Sequence, residues 1–459
     1  MMTGDEKGFN RRMVLATGAM GAASLLTAGG PLSAAASAAT GGKHLVFPKG
    51  FRWGASTAGH QVEGNNVNSD LWFMENIQPQ TFTERSGDAC DSYHRMEEDV
   101  ALLKQLGLNA YRFSIEWSRI EPSRGHFSLA EIDHYRRFID MLRKAGIDPV
   151  VTFYHVSAPR WFAEAGGWLN PESPELFANY CDKAARALSS GMAYACTINE
   201  PQVGLTYRTF ASGGEYFKKQ DEIQARAHAA AAKLTSSERF VTMNHPDIVG
   251  MTPQLIKAHE KAYAAIKAAR SNLPTGVTLN LVDFEPGNEG SPYQALREKA
   301  YGEWLACAKR AGDFVGVQTY RQIQIPGPGA KLPAQPAMPY VDAGHMEEMI
   351  KQPTALRNMV EYVHEQTGKP IFVTENGLET EDDRRRAWYI PQVLTHLHEA
   401  IEKGVPVIGY MHWSLMDNFE WLAGFKMKFG LASVDHQSFK RTPKPSSAVL
   451  ARIARANAI

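Results

Sequence analysis

Eight times along the chain, a short run rich in β-branched and aromatic residues gives way to a stretch with helical apolar spacing, and this alternation restricts the possible folds more than any other feature. The strand-like runs are Phe51 to Thr57, Ala110 to Ile115, Pro149 to Tyr154, Tyr194 to Ile198, Val277 to Val282, Phe314 to Thr319, Ile371 to Thr374 and Val407 to Trp413. Between them, sets such as Met96, Val100, Leu103 and Leu106, or Ile132, Tyr135, Ile139 and Leu142, recur at the spacing of one helix face. Each helix carries the chain back to start the next strand in the same direction, so the strands are expected to be parallel. Eight such units with no linker or composition break predict one α/β domain, a single (β/α)8 TIM barrel with elaborated βα loops, rather than an open sheet. Two stretches depart from the rhythm and should lie over the active face. Residues 204 to 247 hold a Gly-Gly pair and an alanine-rich helical patch, and Ile323 to Pro339 is an extended, loop-like stretch with five prolines.

Barrel enzymes keep their chemistry at the C-terminal strand ends, so those ends are where a site is expected. The run Ile371-Phe372-Val373 is bounded by Lys369-Pro370 and Asn376-Gly377, and its strand closes on Glu375. Cys196-Thr197-Ile198-Asn199 likewise closes on Glu200, with Pro201 ending the strand. Two carboxyl groups on different strands form the pair that cleaving a glycosidic bond requires. The remaining ends are polar and aromatic: His60-Gln61 after the first strand, Arg112 in the second, Tyr154-His155 in the third, Gln318-Thr319-Tyr320 in the sixth, and Trp413 with Asp417 to Trp421 in the eighth. Sugar hydroxyls need amide, imidazole and carboxylate partners, while ring faces pack against indole, and this set supplies both. Any one of the nine tryptophans is as readily explained as core.

Composition narrows the partners. With 49 basic and 49 acidic residues in 459, the formal net charge is +0, so no long-range field draws the chain to nucleic acid or anionic lipid. The four cysteines lack CxxC spacing and are expected to be buried small hydrophobes. His396 and His398 match an H-x-H spacing, but residues two apart on a helix point away from each other, so no metal or other cofactor is expected. Nothing in the sequence sets the oligomeric state.

The motifs then become specific as a set. Asp91-Ser92-Tyr93-His94-Arg95, Tyr111-Arg112-Phe113-Ser114-Ile115, Thr197-Ile198-Asn199-Glu200-Pro201, Val373-Thr374-Glu375-Asn376-Gly377 and Trp413 to Trp421, in this order, resemble the motifs of glycoside hydrolase family one, the β-glucosidase and β-galactosidase family. The likeness runs from about Phe47 to about Ser447. It implies a retaining exo-β-glycosidase acting on a small-molecule β-glycoside through a covalent glycosyl-enzyme. Glu375 matches the nucleophile and Glu200 the acid/base, with carboxyl groups about 5 to 5.5 Å apart. Gln61, His155, Asn199, Glu420 and Trp421 match positions that hold the non-reducing sugar, Trp413 its stacking platform, and Arg112 and Tyr320 residues that contact the nucleophile. The two glutamates need opposite protonation states. Arg112 is expected to hold Glu375 charged, whereas Glu200 has no cation beside it in sequence.

The chain departs from the family pattern at two places. Gln318-Thr319 stands where Asn-Tyr is usual before Tyr320, and Val156-Ser157 stands where Trp-Asp is usual after His155. The lost indole predicts a roomier or drier subsite edge that tolerates a modified or differently configured sugar. Glu420 disfavours a 6-phosphosugar through charge repulsion. Glucose, galactose and a modified sugar all fit the pattern, and a transglycosidase or, more remotely, a non-catalytic sugar-binding barrel are the alternative readings.

The N-terminus reads as an address. Arg11-Arg12 precedes a weakly apolar Ala/Gly/Leu stretch running to about Gly30, and Ala36-Ser37-Ala38 follows as a cleavage signature. A twin-arginine export signal over residues 1 to 38 is therefore expected, with a periplasmic or secreted mature domain over 39 to 459. Beyond it, no stretch approaches the ~18 apolar residues that span a bilayer.

Overall fold

A computed structural model describes residues 44–210, 214–329 and 352–459. The expected export signal lies outside the described residues, as do residues 330–339 of the proline-rich loop and 211–213 of the other insertion. Eight strands close a barrel: β1 (Arg52–Ser56), β2 (Ala110–Ser114), β3 (Asp148–Tyr154), β4 (Tyr194–Asn199), β5 (Thr275–Asn280), β6 (Phe314–Gln318), β7 (Ile371–Asn376) and β8 (Val407–Trp413). Each pairs in parallel with its neighbours in sequence, and β1 meets β8 to complete the ring. The expected barrel and all eight of its strands are therefore present.

The apolar runs work because strand residues alternate between two apolar environments. Phe372 packs with Ala110, Val150, Cys196, Phe314 and Met411 inside the barrel. Its neighbours Ile371 and Val373 belong to the larger core shared with the helix residues Leu356, Val360 and Val393. The helix Leu129–Lys144 shows the same logic: Ser128 accepts a hydrogen bond from the Glu131 amide at its start, and Ile132, Tyr135, Ile139 and Leu142 are buried on one face.

The fifth strand is shifted from its expected span, Val277 to Val282. It starts at Thr275 because Gly276 lets β5 lie against Phe314, whose carbonyl oxygen would be 2.4 Å from an added Cβ. It ends at Asn280, after which the chain leaves the barrel. Asp283–Pro286 then pairs in parallel with Gln322–Ile325, so the start of the supposed loop at 323 is a strand. Glu285 and Pro286 are not apolar, which hid the pairing from sequence periodicity. The other insertion holds the helix Gly214–Thr235, whose Ala227 and Ala231 pack against Leu71, Met74 and Phe240.

Both glutamate-bearing strands are irregular just before the barrel mouth. Between β6 and β7 the register passes from Val317 opposite Val373 to Gln318 opposite Glu375, one extra residue on β7. Between β4 and β5 it passes from Cys196 opposite Gly276 to Asn199 opposite Thr278, one extra residue on β4. Strict alternation from Phe372 and Cys196, both inside the barrel, would send Glu375 and Asn199 outward. The extra residue reverses the facing and turns them to the mouth.

Candidate active site

Glu375 is 4% exposed, and both of its oxygens are occupied. The Arg112 guanidinium, fully buried on β2, donates from Nη1 to Oε1 at 2.6 Å, and the Tyr320 hydroxyl donates to Oε2 at 2.7 Å. Gln318-Thr319 therefore leaves Tyr320 in contact with Glu375 despite departing from the usual pattern. The other Arg112 nitrogen, Nη2, donates to Asn199 Oδ1 at 2.6 Å. That oxygen also accepts from Gln318 Nε2 at 2.8 Å and Thr278 Oγ1 at 3.0 Å.

Three donors on Oδ1 leave the Asn199 amide one orientation, with Nδ2 donating to His155 Nε2 at 3.0 Å. An imidazole that accepts at Nε2 carries its proton on Nδ1 while neutral. Burial, with the Arg112 charge adding to it, holds His155 well below the usual histidine range, so the ring is neutral. Among the described residues, His155 Nδ1 is buried without a partner, and so is the acceptor Gln61 Oε1. The Gln61 nitrogen is held by Asn418 Oδ1 at 3.1 Å and the Phe419 carbonyl at 2.7 Å. An unmet donor and an unmet acceptor suit a hydroxyl, which can both accept and donate.

The aromatic wall is built around the same histidine. Trp413 lies 5.8 Å from the His155 ring at 26° between planes, and Trp421 lies 5.9 Å away at 24°. Trp413 Nε1 donates to Glu420 Oε1 at 3.2 Å. Burial, reinforced by Glu375, pushes the Glu420 carboxyl up to about 8.

Glu200 stands in a contrasting environment. Its amide donates to the Thr278 carbonyl at 2.9 Å, and among the described residues its carboxyl accepts one hydrogen bond, from Asn280 Nδ2 to Oε1 at 2.9 Å. Burial first and the Glu375 charge second push it up to about 8, against smaller lowering by Asn280 and Arg112. Burial also raises Glu375, and there the Arg112 charge and the hydrogen bonds from Tyr320 and Arg112 oppose the rise. The two carboxyls sense each other, and Tyr320 faces both. Of the pair, the one beside the guanidinium loses its proton first, and its charge then holds the proton on the other.

Three non-glycine residues around this pocket have left-handed backbone: Glu200 at φ 46, Val156 at φ 70 and Trp421 at φ 49. Each conformation costs on the order of 1–3 kcal/mol and persists only where the surroundings enforce it. At Val156 a three-residue turn does so, with the Ser157 amide donating to the His155 carbonyl at 2.8 Å. Tyr154 Oη also donates to the Val156 carbonyl at 2.8 Å. The valine side chain packs with Trp421 against the cluster containing Phe419 and Phe240. Ser157 Oγ donates at 2.6 Å to the buried Glu116.

Nine of the ten expected site residues lie at the mouth-side ends of the strands or in the segments that follow them, and Arg112 reaches Glu375 and Asn199 from the middle of β2. Sequence reasoning missed Asn280 and Thr278, because placing the fifth strand through Val282 hid both inside it. Elsewhere, His396 Nδ1 turns to Glu399 and His398 Nε2 to the Val46 carbonyl.

Paired carboxyls of unlike environment, ringed by amides and indoles at the mouth of a (β/α)8 barrel, define the class as a glycosidase. The chain belongs to glycosyl hydrolase family 1, whose model matches residues 43–306 and 294–459. It is 30% identical to "Beta-glucosidase A" of Thermotoga maritima, over 90% of this chain and 98% of that one. It is 29% identical to "Cyanidin 3-O-glucoside 7-O-glucosyltransferase (acyl-glucose)" of Delphinium grandiflorum, over 87% of this chain and 88% of that one. Among solved structures, the apo structure of beta-glucosidase 1317 superposes with a TM-score of 0.80 at 41% identity, covering 89% of this chain and 98% of that one.

Proposed function

We propose that the enzyme hydrolyses β-glucosides by double displacement, with Glu375 as nucleophile and Glu200 as acid/base. The observation that carries these roles is the contrast between the two carboxyls: Glu375 is gripped by a cation and a hydroxyl, and Glu200 by one neutral amide. In the first step a Glu375 oxygen bonds to the anomeric carbon while the bond to the leaving oxygen breaks and takes the Glu200 proton. Glu375 is then an uncharged ester, the repulsion on Glu200 falls, and the Glu200 carboxylate removes a proton from the water that releases the sugar. The second Asn199 Nδ2 hydrogen is available to the sugar 2-hydroxyl. His155 Nδ1 and Gln61 Oε1 together take another hydroxyl, Trp413 and Trp421 provide the apolar wall, and Glu420 closes the set. β-Galactosides and sugars modified at the Val156 edge are the substrate alternatives. The relative named as a glucosyltransferase makes transfer to an alcohol the second reading of the same chemistry.

The test is a panel of nitrophenyl β-glycosides with the wild type, Glu375→Ala and Glu200→Ala. Loss of Glu375 should abolish turnover on every substrate, whereas loss of Glu200 should spare activated leaving groups and penalise poor ones. Equal residual activity of Glu375→Ala on the whole panel would refute the assignment. A product ratio that follows added alcohol rather than water would select transfer over hydrolysis.

The domain is further proposed to reach the periplasm or the exterior through the twin-arginine route, with cleavage after Ala38. Four free buried cysteines are compatible with export of an already folded chain. Replacing Arg11-Arg12 by Lys-Lys should leave activity in the cytoplasmic fraction; undiminished export of that variant would exclude the route.

A further inference from the structure

We infer that Asn280 is a positioning residue that decides which oxygen of Glu200 carries the transferable proton. The inference rests on the proposed acid/base role of Glu200. A protonated carboxyl has two inequivalent oxygens, and only a proton on the oxygen facing the leaving group is useful. Asn280 Nδ2 donates to Oε1 at 2.9 Å, so Oε1 is held as the carbonyl-type acceptor and the proton is left to Oε2. Through the half of the cycle in which Glu200 is a carboxylate, Oε1 can only accept, and that keeps the amide nitrogen rather than Oδ1 turned toward it.

The support for Asn280 is itself rigid. It is 4% exposed and ends β5, paired with Gln318 on β6. Its carbonyl accepts from Gln202 Nε2 at 2.7 Å, and Gln202 lies two residues beyond Glu200. The Glu200 amide donates to Thr278 on the same strand. The turn bearing Glu200 is thus tied to the end of β5 at Thr278, through Gln202, and at the Glu200 carboxyl itself. This explains how a side chain on left-handed backbone holds one orientation. The charged and titratable groups that otherwise face Glu200 are Glu375, Arg112, Glu420 and Tyr320.

During glycosylation the proton leaves Oε2 for the leaving oxygen, whose bonding pair comes from the breaking bond to the anomeric carbon, as Glu375 forms the new bond. Asn280 gains and loses nothing in this step. Its removal frees the proton to sit on either oxygen and frees the carboxyl to rotate, so the loss should grow with how much the leaving group needs the proton.

The experiment compares kcat/KM of wild type, Asn280→Ala and Asn280→Asp on aryl and alkyl β-glucosides of graded leaving-group basicity, with pH profiles and with Glu200→Ala as control. For Asn280→Ala we expect about threefold loss or less with 2,4-dinitrophenolate and ~30-fold or more with an alkyl alcohol, within the range general acid catalysis supplies. The alkaline limb should move to higher pH, because a bond favouring the ionised form is gone. Asn280→Asp keeps the shape and serves if the alanine variant folds poorly; it should be the worse of the two on alkyl glucosides, since it offers an acceptor to the wrong proton. A loss uniform across leaving groups with an unmoved limb would make Asn280 merely structural and overturn the inference. If Glu200→Ala itself showed no dependence on leaving group, the acid/base assignment would fall, and this inference with it.

Discussion

Glu375 and Glu200 differ in what touches them, and that difference is a statement about neighbours in space. Part of what raises Glu200 to about 8 is the Glu375 charge, second to burial. Glu375→Gln should therefore lower the Glu200 value, which an infrared titration of the buried carboxyl reads directly; an unchanged titration would mean that the two do not share a pocket. In the wild type, activity should fall as pH rises through about 8, because the acid must be protonated to act. Val156 stands where the resembled pattern usually has an indole, and its side chain packs, as Trp421 does, against the cluster containing Phe419 and Phe240. Val156→Trp should change the ratio of kcat/KM between 3-O-methyl and unmodified glucosides by about tenfold, the scale at which pockets discriminate a methyl group. A ratio unmoved by the substitution, together with ordinary efficiency on glucosides, would remove Val156 as a determinant.

Among the elements, the β7 strand and the turn after it show why a short motif is so restrictive. The extra residue on β7 turns Glu375 to the mouth. Gly377 then passes the end of β8 so closely that a Cβ there would lie 2.0 Å from the Trp413 carbonyl oxygen. Gly377→Ala must push apart the strand carrying Glu375 and the strand carrying Trp413, so it should cost about 1–3 kcal/mol of stability, as overpacking does. It should lower kcat/KM as well, and denaturant unfolding alongside kinetics separates the two effects; a variant with wild-type values of both would show that the turn has slack. The Thr-Glu-Asn-Gly order was legible in the sequence, but the need for glycine was not, because Trp413 lies on a different strand. For the same reason Asn280 escaped notice: its partner Glu200 is 80 residues away, and only closure of the ring brings β4 and β5 side by side.

Across the whole molecule, buried ionisable groups extend to a polar cluster in the segments that follow β1, β2 and β3. His60 meets Glu75 at 2.8 Å, Ser157 and Asn66 both donate to Glu116, and Asp70 Oδ1 accepts from the Leu71 and Ala158 amides. Among the described residues Asp70 Oδ2 is buried without a partner, and burial pushes the carboxyl up to about 7. Its folded value lies above the unfolded one near 4, so the native state binds a proton that the unfolded chain releases, and stability falls as pH climbs from about 4 to about 7. Asp70→Asn keeps the Oδ1 acceptor but cannot ionise. Measured by denaturant unfolding, its stability relative to wild type should rise across that window and level off above it; a difference independent of pH would exclude the mechanism. The sequence by itself determined the barrel, through eight alternations of strand and helix period, and its ordered motifs, by their resemblance to a family pattern, pointed to ten candidate site residues around the strand ends. Only the tertiary structure decided the inward turn of Glu375 and Asn199, the neutral tautomer of His155 and the tie from Asn280 to Glu200. Those depend on register, close approach and exclusion of water between segments far apart in the chain, which local periodicity does not record.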